Sequence, residues 1–286
     1  MIEVSKLSFT YPDGTRALDD VTLSVPEGSF QAIMGANGSG KSTLLRQLNG
    51  LLKSPPGSVL VGGLTVDRKS FEQVNRFTGF VFQDPNDQIF APTVREDIGY
   101  GPRNLGLDGD EVSRRVSWAA ERVGISDLLD RPIHHLSYGQ KKSLSIAGVL
   151  AMKPRLLILD EPTASLDPMG EKRIMRLLLE LNREGMTVVM ATHDVDLIPL
   201  YADRVCLLRR GRVVVGGGLR EVFADQQLIE DCNLRLPRIA YLFDMFPDLA
   251  ELPLTVGMAR RELERRMGGV MGAPCGVDEH ENHCLT

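Results

Sequence analysis

The chain lacks a long apolar run. A helix that crosses a bilayer needs about 20 consecutive apolar residues, and the longest apolar stretch, around residues 144–152, is much shorter. The first residues carry no basic segment followed by an apolar core, so we expect no signal peptide. We therefore expect a chain that works in the cytosol and reaches a membrane only through partners.

Cysteine is scarce, and positive charge is not in excess. The four cysteines among 286 residues are widely scattered, which fits a reducing compartment better than a disulfide scaffold. The net charge of −5 and the pI near 5.6 give no reason to expect nonspecific binding to nucleic acid. With 43% hydrophobic and 25% charged residues, the composition is that of a globular protein with a sizeable core. The length favours one large domain with an appendage.

Strand and helix patterns alternate along the chain. Residues 21–25 alternate apolar and polar, as half-buried strands do, whereas 156–159 and 187–191 are continuous apolar runs typical of parallel strands buried on both faces. Further strands are predicted at 30–34, 59–66 and 79–82. Helices are predicted at 42–49, 111–123, 137–152 and 173–184. This alternation predicts an α/β core covered by helices on both faces.

A glycine-rich loop connects the strand predicted at 30–34 to the helix predicted at 42–49, and it matches the phosphate-loop pattern. Its residues are Gly35, Ala36, Asn37, Gly38, Ser39, Gly40, Lys41, Ser42 and Thr43. The glycines let backbone N–H groups surround the phosphates of ATP, and the helix start adds partial positive charge. Lys41 can reach the β- and γ-phosphates, and the hydroxyl of Ser42 is placed to ligate Mg²⁺. The alternative, a surface glycine turn, leaves the flanking strand and helix unexplained.

Two carboxylates, Asp160 and Glu161, follow the apolar run at 156–159. The carboxyl ends of parallel strands are where α/β sheets bind ligands. We expect Asp160 to hold Mg²⁺ with its hydration shell, and Glu161 to polarise the attacking water as a general base. Alone, such a strand end is equally typical of a surface turn. Together with the phosphate loop, it predicts ATP hydrolysis.

Between these two motifs, the sequence resembles the signature motif of the ATP-binding cassette (ABC) proteins. The matching residues are Leu136, Ser137, Tyr138, Gly139 and Gln140. In that family the signature, at a helix N-terminus, clamps the γ-phosphate held by the opposite subunit. The resemblance therefore implies a two-fold dimer with two composite sites. A helix N-cap at Ser137 also fits these residues, but it does not explain their position between the other motifs.

Further ABC elements occur in order, and the resemblance spans residues 1 to about 225. Gln83 matches the residue that senses Mg²⁺ and the transporter partner, and Ser165 and Asp167 match the loop that crosses to the other subunit. His193 matches the switch histidine that contacts the γ-phosphate, and Tyr11 matches the aromatic residue that stacks on adenine. Taken alone, His193 would be interpreted as a structural histidine and Tyr11 as a core residue.

The resemblance implies the P-loop NTPase fold of the ABC ATPases: an α/β core with an antiparallel β edge, an inserted helical subdomain and a small C-terminal region. We predict a RecA-like nucleotide-binding core at residues 1–86 and 153–218. The helical signature subdomain is predicted at 87–152, and a C-terminal extension with a mobile tail at 219–286.

Two positions depart from the usual family pattern. Tyr138 stands where most ABC proteins have glycine, and we expect its bulk to point away from the phosphate. Ser143 stands where the family commonly has arginine, and we expect this to alter how the helical subdomain is anchored. Neither departure removes a catalytic group.

A narrower resemblance is to the ATPases of energy-coupling factor (ECF) importers, which act through a small membrane coupling protein. It rests on residues 82–94 and 101–107, and the cobalt and nickel branch is the most similar at 136–142, 232–239 and 253–256. The alternatives are a vitamin-type ECF transporter, a conventional ABC importer and a non-transport ABC ATPase. The last of these would need paired cassettes, a long coiled-coil insertion or basic surfaces, which this sequence does not show.

The resemblance also implies partners. It places the chain peripherally at the cytoplasmic face of the cell membrane, with Mg²⁺ as cofactor and with no nucleic-acid partner. The chain would pair with a second ABC ATPase, identical or related, and would reach the substrate-binding membrane component indirectly. We expect the coupling protein to contact residues 84–94, with Ile89 and Phe90 as exposed anchors. Burial of both side chains within the subdomain is the alternative.

The C-terminal tail is rich in metal-binding residue types. Residues 275–284 carry two cysteines, two histidines and three carboxylates. Such ligands can bind Zn²⁺, Ni²⁺ or Co²⁺, but their spacing matches no closed zinc motif. We expect a solvated, mobile tail, with a metal-handling tail as the alternative.

Overall fold

The structure, a computed structural model, describes residues 1–243, 245–246, 249 and 251–267. The predicted metal-handling or solvated tail at 275–284 lies outside the described residues. In the part of the chain that the structure describes, no helix combines the length and apolarity that a bilayer span requires.

Strands and helices alternate through most of the described chain. The strands are β1 (Ile2–Thr10), β2 (Arg16–Val25), β3 (Phe30–Met34), β4 (Val59–Val61), β5 (Leu64–Thr65), β6 (Thr78–Val81), β7 (Leu156–Asp160), β8 (Thr187–Thr192), β9 (Arg204–Arg209) and β10 (Arg212–Gly218). The helices are α1 (Lys41–Leu48), α2 (Phe71–Phe77), α3 (Val94–Asn104), α4 (Gly109–Val123), α5 (Tyr138–Leu150), α6 (Pro168–Arg183), α7 (Leu219–Phe223), α8 (Gln226–Asp231), α9 (Arg238–Tyr241) and α10 (Val256–Arg266).

The larger sheet carries the predicted nucleotide-binding motifs. Over the described ranges it contains six strands in the order β10-β9-β3-β8-β7-β6. Every neighbouring pair is parallel except β10 with β9, so the carboxyl ends of β3, β7 and β8 lie at one edge. The phosphate loop, Asp160 and His193 stand at the ends of these three strands and therefore meet there.

Alternate residues of the central strands enter two separate apolar cores. In β3, Ala32 and Met34 belong to the core that includes α4, α5 and α6, whereas Ile33 packs in the core around α1. The same alternation in β7 sends Leu157 into the first core and Leu156 into the second. A strand can be apolar throughout only if both of its faces are covered, and these strands are.

A smaller antiparallel sheet packs against α1. In the described chain its strands lie in the order β2-β1-β4-β5, and every pair is antiparallel. Its apolar residues join those of α1 in the second core, among them Leu7, Val21 and Leu44. This sheet is the antiparallel β edge that the resemblance to the ABC ATPases implies.

Two predicted elements differ from the structure. The single strand predicted at 59–66 is wrong, because β4 and β5 form a hairpin around Gly62 and Gly63, whose φ angles are 59° and 79°. Two successive left-handed residues make a tight turn, and the Gly62–Gly63 pair between two apolar runs is the sequence signal for it. The helix predicted at 173–184 begins earlier, as α6, because the Asp167 side chain caps it and proline occupies its first turn.

The C-terminal region is anchored to the loop that follows β8. The carboxylate of Asp196 accepts hydrogen bonds from the guanidinium of Arg235 and from the backbone N–H of Arg238, the latter at 2.7 Å. Burial acts to raise the pKa of Asp196, but these hydrogen bonds lower it overall. Because Asp196 and His193 lie in the same loop, the C-terminal region is anchored to the loop that carries the predicted switch histidine.

Candidate ATP site

The phosphate loop is packed so closely that two of its positions require glycine. A Cβ atom on Gly35 would lie 2.3 Å from the carbonyl oxygen of Leu208. Gly40 has a φ angle of 107°, and its Cβ would lie 2.6 Å from the carbonyl oxygen of Ala17. Neither position accepts a side chain without movement of the backbone. The sequence pattern therefore reflects a specific backbone path at the start of α1.

Lys41 spans this loop from the first residue of α1. Its Nζ donates hydrogen bonds to the carbonyl oxygens of Gly35, at 2.8 Å, and Ala36, at 3.2 Å. It also lies 3.6 Å from Oε1 of Glu161. Burial lowers the pKa of Lys41, and the charge of Glu161 opposes that change. The ammonium group thus stands between the loop and the carboxylates, where it can bind a phosphate oxygen.

Ser42 and Asp160 form the part of the site that fits a divalent cation. The Oγ atom of Ser42 donates a hydrogen bond to Oδ1 of Asp160 at 3.0 Å. Burial raises the pKa of Asp160, and the hydrogen bond from Ser42 opposes this. Ser42 and Gln83 line the same cavity, and Asp160, which is not among its lining residues, reaches it through the bond to Ser42. Hydroxyl, carboxylate and amide oxygens are therefore available, which are the ligands that Mg²⁺ prefers. The buried Oγ of Ser39 has no hydrogen-bond partner among the described residues, as expected for a loop that binds phosphate.

Glu161 is held in an unusual backbone conformation. Its φ angle is 44°, which is uncommon for a residue other than glycine, and its N–H donates to the carbonyl oxygen of Ala191 at 3.0 Å. The Nδ1 atom of His193 lies 3.2 Å from the Glu161 carboxylate. The His193 side chain is 55% exposed, so the ring is accessible from the cavity. The pair can hold a water molecule beside a bound phosphate.

A single cavity of about 870 Å³ brings most of the predicted site residues together. Those that line it are Tyr11, Asn37, Gly38, Gly40, Lys41, Ser42, Thr43, Gln83, Glu161, Ser165 and His193. The hydroxyl of Tyr11 lies 3.0 Å from Oγ1 of Thr43, which fixes the aromatic ring beside the phosphate loop. The volume and the polar lining suit a nucleotide.

The signature residues lie elsewhere. None of the four signature residues is among the described residues that line the cavity. They are Ser137, Tyr138, Gly139 and Gln140. They form the start of α5, where Ser137 and Gln140 make a capping box. Burial, with a contribution from the negative charge of Asp84, raises the pKa of Tyr138. One chain therefore does not assemble every predicted group in one site.

Lys142 is a buried residue beside the site, and the sequence motifs predict no role for it. Its side chain is fully buried, and its Nζ donates to the carbonyl oxygens of Phe82, at 3.3 Å, and Gln83. Burial lowers the pKa of Lys142 to about 8, which the charges of Asp84, Asp160 and Glu161 oppose. The sequence signal that could have identified it is a lysine inside the apolar helix predicted at 137–152. A fully buried lysine is rare unless it is paired, so such a lysine indicates a buried partner.

Known proteins are similar in sequence to this chain over nearly its whole length. The sequence profile of the ABC transporter family matches residues 18–164. The energy-coupling factor transporter ATP-binding protein EcfA of Methanocaldococcus jannaschii is 45% identical over 277 residues, which cover 96% of this chain and 99% of that protein. EcfA3 of Clostridium perfringens is 45% identical over 271 residues, covering 92% and 95% respectively.

Solved structures share the fold. That of cbiO1 from Clostridium perfringens, part of the ABC transporter complex cbiONQ, has a TM-score of 0.73 and 46% sequence identity, and covers 85% of this chain and 98% of its own. The ATP-binding cassette MJ0796, a dimer in a post-hydrolysis state bound to ADP and Pi, has a TM-score of 0.71 and 31% identity, and covers 77% and 99%. The structural similarity thus covers most of this chain.

Proposed function

The chain belongs to the ABC transporter family, and we propose that it is the ATP-hydrolysing subunit of an ECF-type importer for cobalt or nickel. The predicted ABC ATPase fold and the ATPase activity are those of this family. The convergence of Lys41, Ser42, Glu161 and His193 on one nucleotide-sized cavity carries the ATP-hydrolysing part of the proposal. The ECF type and the cobalt or nickel cargo are supported by the similarity to EcfA and cbiO1.

The proposed roles follow from the geometry. The ammonium of Lys41 and the backbone of the phosphate loop bind the β- and γ-phosphates of ATP. Glu161 accepts a hydrogen bond from the attacking water, and His193 orients that carboxylate and approaches the γ-phosphate. Tyr11 supports the adenine ring. Mg²⁺, held by Ser42, Gln83 and Asp160, would neutralise charge that develops on the phosphates.

A second ABC ATPase completes the site in this proposal. The signature residues 137–140 do not line their own chain's cavity, and the start of α5 is a helix N-terminus able to meet a phosphate from another subunit. Ser165 in the cavity wall and Asp167 at the start of α6 would lie at the contact between the two cassettes. The dimeric form of MJ0796 supports this arrangement. The second cassette is another copy of this chain or a related ATPase.

The surface that receives the membrane coupling protein lies on the segment after Gln83. Phe90 is 66% exposed and Tyr100 is 47% exposed, and their rings stack edge to face with centroids 4.7 Å apart. The expectation that Ile89 is also exposed is wrong, because its side chain is partly buried against the apolar core. We infer that the aromatic pair, rather than Ile89, anchors the coupling protein, and this contact would hold the chain at the cytoplasmic face of the membrane.

Replacing either aromatic residue should uncouple the chain from its membrane partner. We expect Phe90→Asp and Tyr100→Asp each to weaken co-purification from membranes by about tenfold or more, because each removes a desolvated aromatic anchor. ATP affinity of the isolated chain should remain unchanged. Leu51→Asp, at a position that is 46% exposed on the loop after α1, is the matched control and should co-purify normally. Normal recovery of both aromatic variants would rule out this surface.

An uptake assay tests which solute the transporter carries. The chain, purified with its membrane partners and reconstituted in vesicles, should accumulate Co²⁺ or Ni²⁺ only when Mg-ATP is present on the cassette side. The same preparation with Glu161→Gln is the control and should not accumulate either ion. The proposal is supported by the resemblance at 136–142, 232–239 and 253–256 and by the likeness to cbiO1. ATP-dependent uptake of a vitamin, with none of either metal ion, would favour the vitamin-type alternative.

A further inference from the structure

The ammonium of Lys142 joins the signature helix to the backbone of the residue predicted to sense Mg²⁺. Lys142 lies in the first half of α5, and its Nζ donates to the carbonyl oxygens of Phe82 and Gln83. The Lys142 side chain is inaccessible to solvent, so water does not satisfy its ammonium. Burying an ammonium is unfavourable unless its donors are satisfied, and here two main-chain acceptors satisfy it.

Two further side chains tie the same segment to the same helix. Nζ of Lys141 donates to Oδ1 of Asn86 at 2.9 Å. The amide of Gln88 spans the gap: its Oε1 accepts from the N–H of Phe82 at 3.1 Å, and its Nε2 donates to the carbonyl oxygen of Ser145 at 2.8 Å. Residues 82–88 are therefore hydrogen-bonded to α5 at several points. Of the described side chains that make these bonds, only that of Lys142 is fully buried.

The two ends of this connection face different nucleotides in the proposed dimer. The side chain of Gln83 lines the cavity of its own chain, whereas α5 begins with the signature residues, which that cavity does not include. A displacement of α5 caused by a nucleotide on the second cassette would reach Gln83 through the Lys142 ammonium. A buried, hydrogen-bonded side chain transmits such a displacement because it cannot rearrange freely.

We propose that Lys142 is a positioning residue that sets the place of Gln83 in the phosphate cavity according to the position of the signature helix. This rests on the proposed ATPase function and adds to it a route between the two composite sites. Without the ammonium, the carbonyls at 82 and 83 lose this donor, and the backbone from which the Gln83 side chain reaches the cavity is no longer tied to α5. Lys142 itself touches neither nucleotide nor metal in this proposal.

The experiment compares ATP affinity with and without Mg²⁺ in matched variants of the full chain. Lys142→Met removes the ammonium and keeps the unbranched apolar stem. We expect its affinity for ATP in EDTA to equal that of the wild type, while Mg²⁺ no longer improves binding as it does in the wild type. We also expect kcat to fall by about tenfold or more, the loss typical of a hydrogen bond to a charged group. Lys141→Met, on the same helix and bonded to the same segment, should match the wild type in both measurements.

A double variant separates positioning from general damage to the fold. If Lys142 acts through Gln83, then Lys142→Met should cause no further loss in a Gln83→Ala background, since the group that it positions is already absent. Lys142→Gln, whose amide can still donate to one carbonyl, should recover part of kcat. If Lys142→Met does not fold, Lys142→Gln takes its place in the comparison. Equal losses of affinity in EDTA and in Mg²⁺, or multiplicative losses in the double variant, would overturn the proposal. Absence of ATP hydrolysis by the wild-type chain in its complex would instead contradict the proposed function.

Discussion

Glu161→Gln is expected to reduce ATP hydrolysis by about 100- to 10,000-fold, the usual contribution of a general base. The amide is nearly isosteric with the carboxylate, and glutamine tolerates the left-handed backbone at this position no worse than glutamate does. ATP should still bind, because the contacts of Lys41 with the phosphate loop remain. A closed, ATP-bound dimer should therefore accumulate, which sedimentation velocity with Mg-ATP will detect.

A second carboxylate in the same cavity provides the control for this variant. Glu171 of α6 also lines the cavity, and burial, with a contribution from the charge of Asp194, raises its pKa. Glu171→Gln should retain most of the hydrolytic rate, since Glu171 is not among the groups bonded to Lys41 or His193. If Glu171→Gln abolished turnover while Glu161→Gln preserved it, the assignment of the base would have to be reversed.

Lys41→Met should weaken both binding and hydrolysis. Methionine keeps most of the buried stem but removes the ammonium that lies between the phosphate loop and Glu161. We expect ATP affinity to fall by about tenfold or more, because charge-assisted hydrogen bonds to phosphate are strong. Hydrolysis should fall by about 100-fold or more, because stabilisation of the developing charge is lost as well. Isothermal titration with ATP and a steady-state phosphate assay measure the two effects.

Stability must be measured in the same variant, since Lys41 is a buried charge with buried acidic neighbours. Removing one member of such a group can leave the others uncompensated. Lys53→Met, in an exposed loop after α1, is the matched lysine control and should change neither affinity nor melting temperature. Unaltered ATP affinity in Lys41→Met would mean that the phosphates do not bind where this loop lies.

Sequence alone locates the cavity because its residues satisfy local requirements that leave a pattern. Gly40 is fixed by a positive φ angle and by the closeness of the Ala17 carbonyl, and apolar strands of the right length deliver Asp160 and His193 to the same sheet edge. The capping box at Ser137 is local in the same way. A positive φ angle, a strand end and a helix cap each leave a local pattern of residue types, so one sequence can reveal them, although the contact of Gly40 with Ala17 is long-range.

The missed features depend on contacts between distant segments. Lys142 bonds to main-chain carbonyls some 60 residues away in sequence, and carbonyl acceptors exist at every residue, so no side-chain pattern marks the pair. Ile89 and Phe90 are equally apolar neighbours, and only tertiary packing decides that the first is partly buried and the second exposed. The exposed partner of Phe90, Tyr100, lies on α3 and could not be paired with it from sequence.

Ser137 offers a substitution that separates its cap from its proposed role at the second subunit's phosphate. Aspartate is as good an N-cap as serine, so Ser137→Asp should preserve α5 while placing a negative charge against the γ-phosphate. Ser137→Asn, which caps without charge, is the control. Ser137→Asp should therefore lack hydrolysis for an electrostatic reason, with its melting temperature unchanged.

Mixing the Lys41→Met and Ser137→Asp chains tests most directly whether each site is built from two subunits. Each variant alone should be inactive, because both of its composite sites carry a defect. In a mixed dimer, the intact Lys41 of one chain meets the intact Ser137 of the other, so an equal mixture should recover roughly a quarter of wild-type hydrolysis if pairing is random and sites act independently. A mixture no more active than the separate variants, although the wild-type chain hydrolyses ATP under the same conditions, would contradict a site completed in trans.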